Sequence, residues 1–221
     1  MGAHICSLGF VPAAHDPRPR APHLPAEERR AALIAATRDA VLEHGAVPTT
    51  KQIAAAAGVA EGTIFRIFDS KEDLLDAVMA ESFDPAPLLA EIDAIDPEQP
   101  LRERLYRFTE LVQARFQQIF GLMDALGLVA PPHRRDEDAH RRAKGGPALA
   151  ARLRGVIGDD AGRLSVPPDE AIHLLRLLTF SGSHPHISDG HVLSPKRIVD
   201  VLLDGISAPP TTESAARNSP Q

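Results

Sequence analysis

Residues 49–79 read TTKQIAAAAGVAEGTIFRIFDSKEDLLDAVM, and this stretch decides the fold of the chain. Its first part, residues 51–57, is rich in alanine and predicts a short helix, because alanine has the highest helix propensity. Thr49 and Thr50 precede this helix and are residues whose hydroxyls cap helix N-termini. Gly58 follows the helix, and we expect it in the left-handed conformation that commonly ends helices.

A second short helix is predicted over residues 62–68, with Val59 as the apolar side chain that fills the turn before it. Ser70 then caps a third helix, with Asp73 three residues further on. Two short helices around a turn containing glycine describe a helix-turn-helix, whose second helix enters the DNA major groove. On spacing alone, an ordinary hairpin of two helices in an all-helical protein is an equal alternative.

Many residues of this stretch follow a fixed spacing: Ile53-Ala54, Ala57-Gly58-Val59, Gly62-Thr63-Ile64-Phe65, Phe68, Lys71-Glu72 and Leu74. This pattern resembles the DNA-binding signature of TetR-type transcriptional regulators, and with the preceding helix the resemblance covers roughly residues 27–80. One position differs, because the family usually has a tyrosine, whose hydroxyl commonly touches a phosphate, where this chain has Phe65. Phenylalanine cannot donate a hydrogen bond, so we expect the adjacent Arg66 to take over part of that contact.

The resemblance implies an all-α protein with an N-terminal three-helix DNA-binding domain, followed by a helical domain for effector binding and dimerisation. The expected division is a flexible leader over 1–24, the DNA-binding domain over 25–83, the ligand-binding and dimerisation domain over 84–208, and a disordered tail over 209–221. The first helix should begin at Pro25 and end before Gly45. The residues expected to face DNA are Thr50, Lys51, Thr63, Phe65, Arg66 and Lys71.

The charge of the chain sets a condition on DNA binding. Its formal net charge is −6, and residues 1–80 contain eight Lys or Arg against ten Asp or Glu. Binding must therefore depend on the local placement of a few cations and on helix N-termini, whose free N–H groups attract phosphate. Few cations at phosphates predict a modest dependence of affinity on salt.

Composition excludes several other classes of protein. The single cysteine, Cys6, cannot form an intramolecular disulfide and is typical of a reducing cytoplasm, where we expect this chain. No apolar run approaches the roughly 20 residues of a membrane helix. The sequence contains no nucleophile elbow, phosphate-binding loop, dinucleotide fingerprint or zinc-protease motif, so we expect neither an enzyme nor a cofactor.

The remaining sequence predicts a helical body. Helices are expected around residues 88–95, then over 101–129, 147–157, 168–181 and 195–206, with a loop or short exposed helix over 133–145. The pattern over 101–129 has the widest apolar stripe and predicts a central helix, with Arg102, Arg104, Arg107 and Arg115 on its outer face. We expect a mainly apolar small-molecule effector beside Phe116, Phe120, Met123 and Leu126, with simple core filling as an equal alternative.

The segment 168–181 is apolar on nearly all sides, which requires burial on most sides. A second copy of the chain would supply that burial, and the predicted interface residues are Leu174, Leu177, Leu178, Ile198 and Leu202. A two-fold dimer would present two recognition helices to a pseudo-palindromic DNA operator. The function expected from the resemblance is a transcriptional repressor that a small molecule releases from its operator.

Two other functions compete with this one. The loop that holds His184, His186 and His191 offers imidazole ligands for zinc, copper or nickel, so a metal-responsive regulator is one alternative. The His-x-His spacing fits no strong closed metal site and no cysteine accompanies it, which favours a structural role. A helical protein-interaction adaptor is the other alternative, and it would require the helix-turn-helix match to be accidental.

Overall fold

The computed structural model describes the backbone of residues 25–128 and 136–206, and the side chains of 25–128 and 145–206. All regular secondary structure in these ranges is helical, which confirms the all-α prediction. The α-helices are α1 (Ala26–His44), α2 (Thr50–Ala56), α3 (Glu61–Ile64), α4 (Lys71–Ser82), α5 (Ala86–Asp93), α6 (Leu101–Ala125), α7 (Asp136–Ile157), α8 (Pro168–Ser183) and α9 (Pro195–Asp204), with a 3₁₀ helix over Gly158–Arg163. The predicted leader over 1–24 and tail over 209–221 lie outside the described residues.

The ends of the first helices follow their capping residues. Helix α1 begins after Pro25 and ends at Gly45, which has φ +60°. At α2, the Thr49 hydroxyl accepts from the Gln52 backbone N–H at 3.3 Å, and the Gln52 side chain accepts from the Thr49 N–H at 2.8 Å. This reciprocal capping box satisfies two N–H groups that would otherwise lack partners. Ser70 caps α4 as predicted, since its hydroxyl accepts from the Asp73 N–H at 3.0 Å.

Two apolar cores are present, and α6 contributes to both. The N-terminal core joins side chains of α1 to α4, among them Leu33, Ile53, Ile64, Leu74 and Val78. Leu122, near the end of α6, is fully buried in that same core. The second core gathers the earlier part of α6 with α5, α7, α8 and α9. Helix α6 therefore connects the packing of the helix-turn-helix with that of the body.

Two predicted helix ends are wrong. Helix α3 stops at Ile64 instead of Phe68, and tight turns follow, with the Ile67 N–H donating to the Ile64 carbonyl at 3.0 Å. β-Branched and aromatic residues in this segment have low helix propensity, so packing decides its path. Helix α6 ends at Ala125 instead of Val129 because Gly127, at φ +65°, supplies a glycine stop. Val129 itself, like the proline pair that follows it, lies outside the described residues.

Two of the four arginines predicted on the outer face of α6 lie inside instead. Arg104 is 6% exposed and forms an ion pair with Asp160. Arg115 is half-buried and donates to the Asp84 carbonyl at 2.7 Å. Arg102 and Arg107 do lie toward the surface, where Arg102 pairs with Asp204 at 2.6 Å and Arg107 with Glu110 at 2.7 Å. The prediction of an outward side chain failed for Arg104 and Arg115 because each has a polar partner deeper in the fold.

The helix predicted over 147–157 is the second half of the longer α7, which contains Pro147. The backbone of residues 136–145, predicted as a loop or short exposed helix, belongs to that same helix. Helices α5, α8 and α9 lie where the sequence predicts them, within two residues at each end.

Candidate functional site

The turn between α2 and α3 fixes the relative position of the two helices. Gly58 adopts φ +66°, and its N–H donates to the Ala55 carbonyl at 3.2 Å. The Val59 N–H donates to the Ala54 carbonyl at 3.0 Å, which completes the two-bond glycine motif of a helix C-terminus. Val59 packs partly buried against the N-terminal core, as expected for the apolar residue of the turn. The structure therefore has the helix-turn-helix geometry that the sequence predicts.

Helix α3 and the turn after it divide into an inner and an outer face. Ile64 is fully buried and Phe68 is 6% exposed, and the Arg30 guanidinium lies 5.1 Å from the centre of the Phe68 ring. Phe65, by contrast, is 52% exposed, and the neighbouring Arg66 is also exposed. A large aromatic side chain held outward beside a cation is a surface that can contact a partner molecule.

All six residues predicted to face DNA reach the surface. Lys51, Phe65 and Arg66 are exposed, while Thr50, Thr63 and Lys71 are partly exposed. In the described part of the chain, Lys51, Arg66 and Lys71 form no ion pair, so their charges are available to an anion. The Thr50 hydroxyl is engaged by the carboxylate of Glu61, which stands in the first turn of α3. Glu61 places a negative charge at that helix N-terminus, so the cations must supply the attraction for phosphate.

A cavity of about 540 Å³ lies between the end of α4 and the helices α5, α6, α7 and α8. Its apolar wall includes Phe83, Leu88, Leu89, Val112, Phe116, Ile119, Leu149, Leu177 and Phe180. Such a volume is within the range of about 300–1,000 Å³ that small-molecule sites occupy. Of the four predicted effector residues, Phe116 lies in this wall.

The other three predicted effector residues are distributed differently. Phe120 and Met123 line a second, separate cleft of about 700 Å³ beside His184. Phe120 stands between the two spaces, because its ring contacts Phe116 and Phe180 at centroid distances of 5.9 and 5.4 Å. Leu126 lines neither space and packs against the N-terminal core. The C-terminal part of this stripe, Met123 and Leu126, packs against the helix-turn-helix core and does not line the first cavity.

Polar side chains that the sequence reasoning missed also line the first cavity: Ser82, Asp84, Arg115, His173 and Arg176. Burial lowers the pKa of Arg115 from its ordinary value, and the nearby acidic residues, Asp84 first, act in the opposite direction. A signal for Arg115 existed, since it follows Val112 by three residues and precedes Ile119 by four. Arg115 was nevertheless predicted on the outer face of α6 because its side chain is charged.

Helix α8 presents apolar residues to the surface of the single chain. Leu174 is 38% exposed and Leu177 is 50% exposed, while Leu178 and Leu202 are partly buried against the second core. Ile198 is 1% exposed inside that core, which removes it from the predicted dimer interface. Its burial follows from its position on the inner face of α9, toward α6 and α8.

The histidine loop after α8 does not form a metal cluster. The ring of His184 packs on Phe120 with a centroid distance of 4.3 Å, and His186 Nε2 lies 3.8 Å from an Asp124 oxygen. Across the residues that the structure describes, no three His, Cys, Asp or Glu side chains are placed to share a metal ion. The metal-responsive alternative therefore finds no support in this loop.

The described helices include none long and apolar enough to cross a membrane.

The capped α2, the glycine turn and the exposed face of α3 define a DNA-binding protein of the helix-turn-helix class. Residues 33–78 match the sequence model of the family described as "Bacterial regulatory proteins, tetR family". Residues 33–78 therefore carry a DNA-binding domain of the tetR type, as the resemblance implied, and this match supports a DNA-binding transcriptional regulator.

Solved structures share the fold across most of the chain. A tetR-family transcriptional regulator from Streptomyces coelicolor is 17% identical with a TM-score of 0.58, over 82% of this chain and 80% of that one. The fatty acid degradation regulator FadR from Bacillus halodurans is 18% identical with a TM-score of 0.55, over 80% and 96%. The TetR-like regulator LfrR from Mycobacterium smegmatis is 24% identical with a TM-score of 0.51, over 82% and 99%. At these identities the likeness concerns the fold.

Proposed function

We propose that this regulator is a homodimeric repressor, which a mainly apolar small molecule releases from its operator by binding in the 540 Å³ cavity. The observation that carries the proposal is the position of α4. Leu74 and Val78 of this helix are fully buried in the helix-turn-helix core, while Ser82 at its end lines the cavity. A molecule in the cavity therefore touches the same helix that holds the DNA-binding domain.

The DNA-binding side of the proposal uses residues 25–83, and the body from residue 84 onward binds the effector and the second subunit. Thr63, Phe65 and Arg66 would contact the operator from α3 and the turn after it, because these side chains lie on its accessible face. Thr50, Lys51 and Lys71 would contact phosphates on either side. Phe65 would contribute apolar contact to base or sugar, and Arg66 would supply the hydrogen bonds that a phenyl ring cannot.

The dimer would form through α8 and α9. Leu174 and Leu177 expose apolar surface on α8 in the single chain, and a second subunit would bury it. A two-fold axis beside these residues would bury the same face on both subunits, with Leu178 and Leu202 at its border. Two copies of α3 would then read half-sites one helical turn or somewhat more apart, about 34–36 Å at the minimum.

A small-molecule effector suits both the cavity and the fold. The structure of LfrR was determined in complex with proflavine, and that of a FadR from Bacillus subtilis, with a TM-score of 0.50, in complex with stearoyl-CoA. Similar folds thus hold organic molecules. In this chain the cavity wall is mostly apolar, so burial of an apolar ligand would supply the main binding free energy.

The test begins with selection of genomic or random duplexes on the purified full-length protein, followed by a compound screen for thermal stabilisation and DNA release. Leu149→Trp should narrow the cavity and abolish release while operator binding persists. Val192→Trp is the matched control, because Val192 lines the separate cleft beside His184. Release that survives Leu149→Trp but is lost in Val192→Trp would move the effector to the other cleft and overturn the proposed site.

A further inference from the structure

Two arginines line the mainly apolar cavity, and this combination defines the class of effector more narrowly. We propose that the effector is an anionic amphiphile, an apolar tail with a carboxylate or phosphate head, and that Arg115 and Arg176 bind its head. This inference rests on the proposed function, since it concerns the same cavity between α4, α5, α6, α7 and α8.

Arg115 is a half-buried cation without a neutralising partner in contact. Its guanidinium donates to the backbone carbonyl of Asp84 at 2.7 Å, and more weakly to that of Glu81 at 3.4 Å. A third contact reaches the neutral amide oxygen of Gln118 at 3.4 Å. These acceptors are uncharged, and within the described residues Arg115 forms no ion pair. A partly desolvated charge of this kind gains free energy when an anion reaches it.

Arg176 approaches the cavity from α8. One of its terminal nitrogens lies 3.4 Å from the position that a Cβ would take on Gly146 of α7, so the side chain extends across to that helix. The absence of a side chain on Gly146 leaves room for the guanidinium. Among the described side chains Arg176 has no hydrogen-bond or ion-pair partner, so its donors are available. His173, one turn earlier, also lines the cavity and can add a further donor.

The described wall contains one acidic side chain against two arginines, so its formal charge stays positive. That acidic side chain belongs to Asp84, whose carboxylate accepts from the Ala86 N–H at 3.1 Å, at the beginning of α5. The rest of the wall fits an apolar tail, with Phe116 and Phe180 in edge-to-face contact at 5.4 Å. A ligand with both a charged head and a tail uses the whole cavity, whereas a neutral apolar ligand forms an ion pair with neither arginine.

The contacts of Arg115 also connect the head group with DNA binding. Its two carbonyl acceptors belong to Glu81 in the last turn of α4 and to Asp84 just beyond it. The carboxylate of Glu81 lies 3.7 Å from a nitrogen of Arg38 on α1. An anion that draws Arg115 toward itself would weaken the attachment of α4 to α6, and the change would reach α1 through Glu81. Release from DNA is the expected consequence.

The experiment compares three probes with one tail: decanoate, decanamide and decylammonium, which carry a negative, zero and positive head charge. Calorimetric titration of the full-length protein without DNA should give the order decanoate, decanamide, decylammonium from tightest to weakest. Arg176→Gln should lower the affinity for decanoate by at least about tenfold, the scale of one lost charge-assisted hydrogen bond, and leave the affinity for decanamide unchanged. The exposed Arg107→Gln on α6 is the matched control and should change neither affinity.

Arg115→Lys keeps the charge but loses the forked donor geometry, so it should reduce the affinity for decanoate. The melting temperature of this variant reports whether it is folded. Equal affinity for the three probes, no binding of any of them, or an unchanged charge preference in both Arg176→Gln and a folded Arg115→Lys would overturn the inference. Operator retention, measured separately, reports on the proposed function. Failure to bind DNA would refute that function while the calorimetry still decided the ligand class.

Discussion

Replacing Gly58 tests whether the turn geometry, and not merely the two helices, makes the DNA-binding domain. At φ +66°, a side chain at this position is strained whatever space surrounds it, and a Cβ built there meets no atom within 4 Å. The cost of substitution is therefore conformational, with no steric clash to relieve. A left-handed residue with a Cβ costs about 1–2 kcal/mol relative to glycine, so Gly58→Ala should lose that much stability.

Gly58→Val should lose more than Gly58→Ala, because a β-branched side chain is a genuine outlier in this region. Gly58→Asn should lose less, because asparagine is the non-glycine residue that tolerates left-handed geometry best. For a chain of this length, each kcal/mol corresponds to about 2–4 °C in melting temperature. The alanine variant should accordingly melt about 2–8 °C below the wild type.

The assay is thermal unfolding by circular dichroism, together with hydrogen exchange of the Val59 amide, whose bond to Ala54 depends on the turn. Gly62→Ala is the control, since Gly62 lies in α3 without positive φ and with equally open surroundings. It should melt at or above the wild-type temperature, as glycine inside a helix is less favourable than alanine. A Gly58→Val protein that melts like the wild type, or asparagine and valine variants that lose equal stability, would refute the reasoning.

Three further predictions concern other surfaces. Arg66→Ala should weaken operator binding without changing the melting temperature. Loss of a contact from Arg66 to a base would cost roughly 1–3 kcal/mol of binding free energy and relax the sequence preference. Unchanged affinity in titrations at fixed salt would remove Arg66 from the interface. Leu177→Asp should give monomers by light scattering and lower operator affinity, because it places a charge on the exposed apolar face of α8; dimers of undiminished affinity would exclude that face. Hydrogen bonds from Lys196 first, and then Tyr106, lower the pKa of Asp200 from 3.8 to about 2. Its stabilising contribution is thus present above pH 4 or so and lost as the pH falls toward 2, so Asp200→Asn should flatten the melting temperature over that interval, and parallel curves would contradict this assignment.

The sequence alone determined the elements that local chemistry controls. The capping threonine and serine act through hydroxyls that bond a backbone N–H three residues on, while the glycine after α2 and the proline before α1 act through their own backbone. Helix starts and the turn could therefore be predicted residue by residue. The spacing of residues 53–74 also carried the resemblance to TetR-type regulators. The apolar periodicity of α6, α8 and α9 was sufficient to predict these helices, because each contributes an apolar stripe to the core.

The tertiary structure decided everything that depends on which face of a helix meets which neighbour. Arg104 and Arg115 lie inward because Asp160 and the end of α4, both distant in sequence, supply acceptors. The same packing assigned Ile198 to the core and gave Leu126 to the helix-turn-helix instead of the cavity. A one-dimensional pattern specifies that a side chain is apolar or charged. Whether it fills a core, lines a cavity or awaits a partner depends on contacts between helices, and these form only when the chain folds.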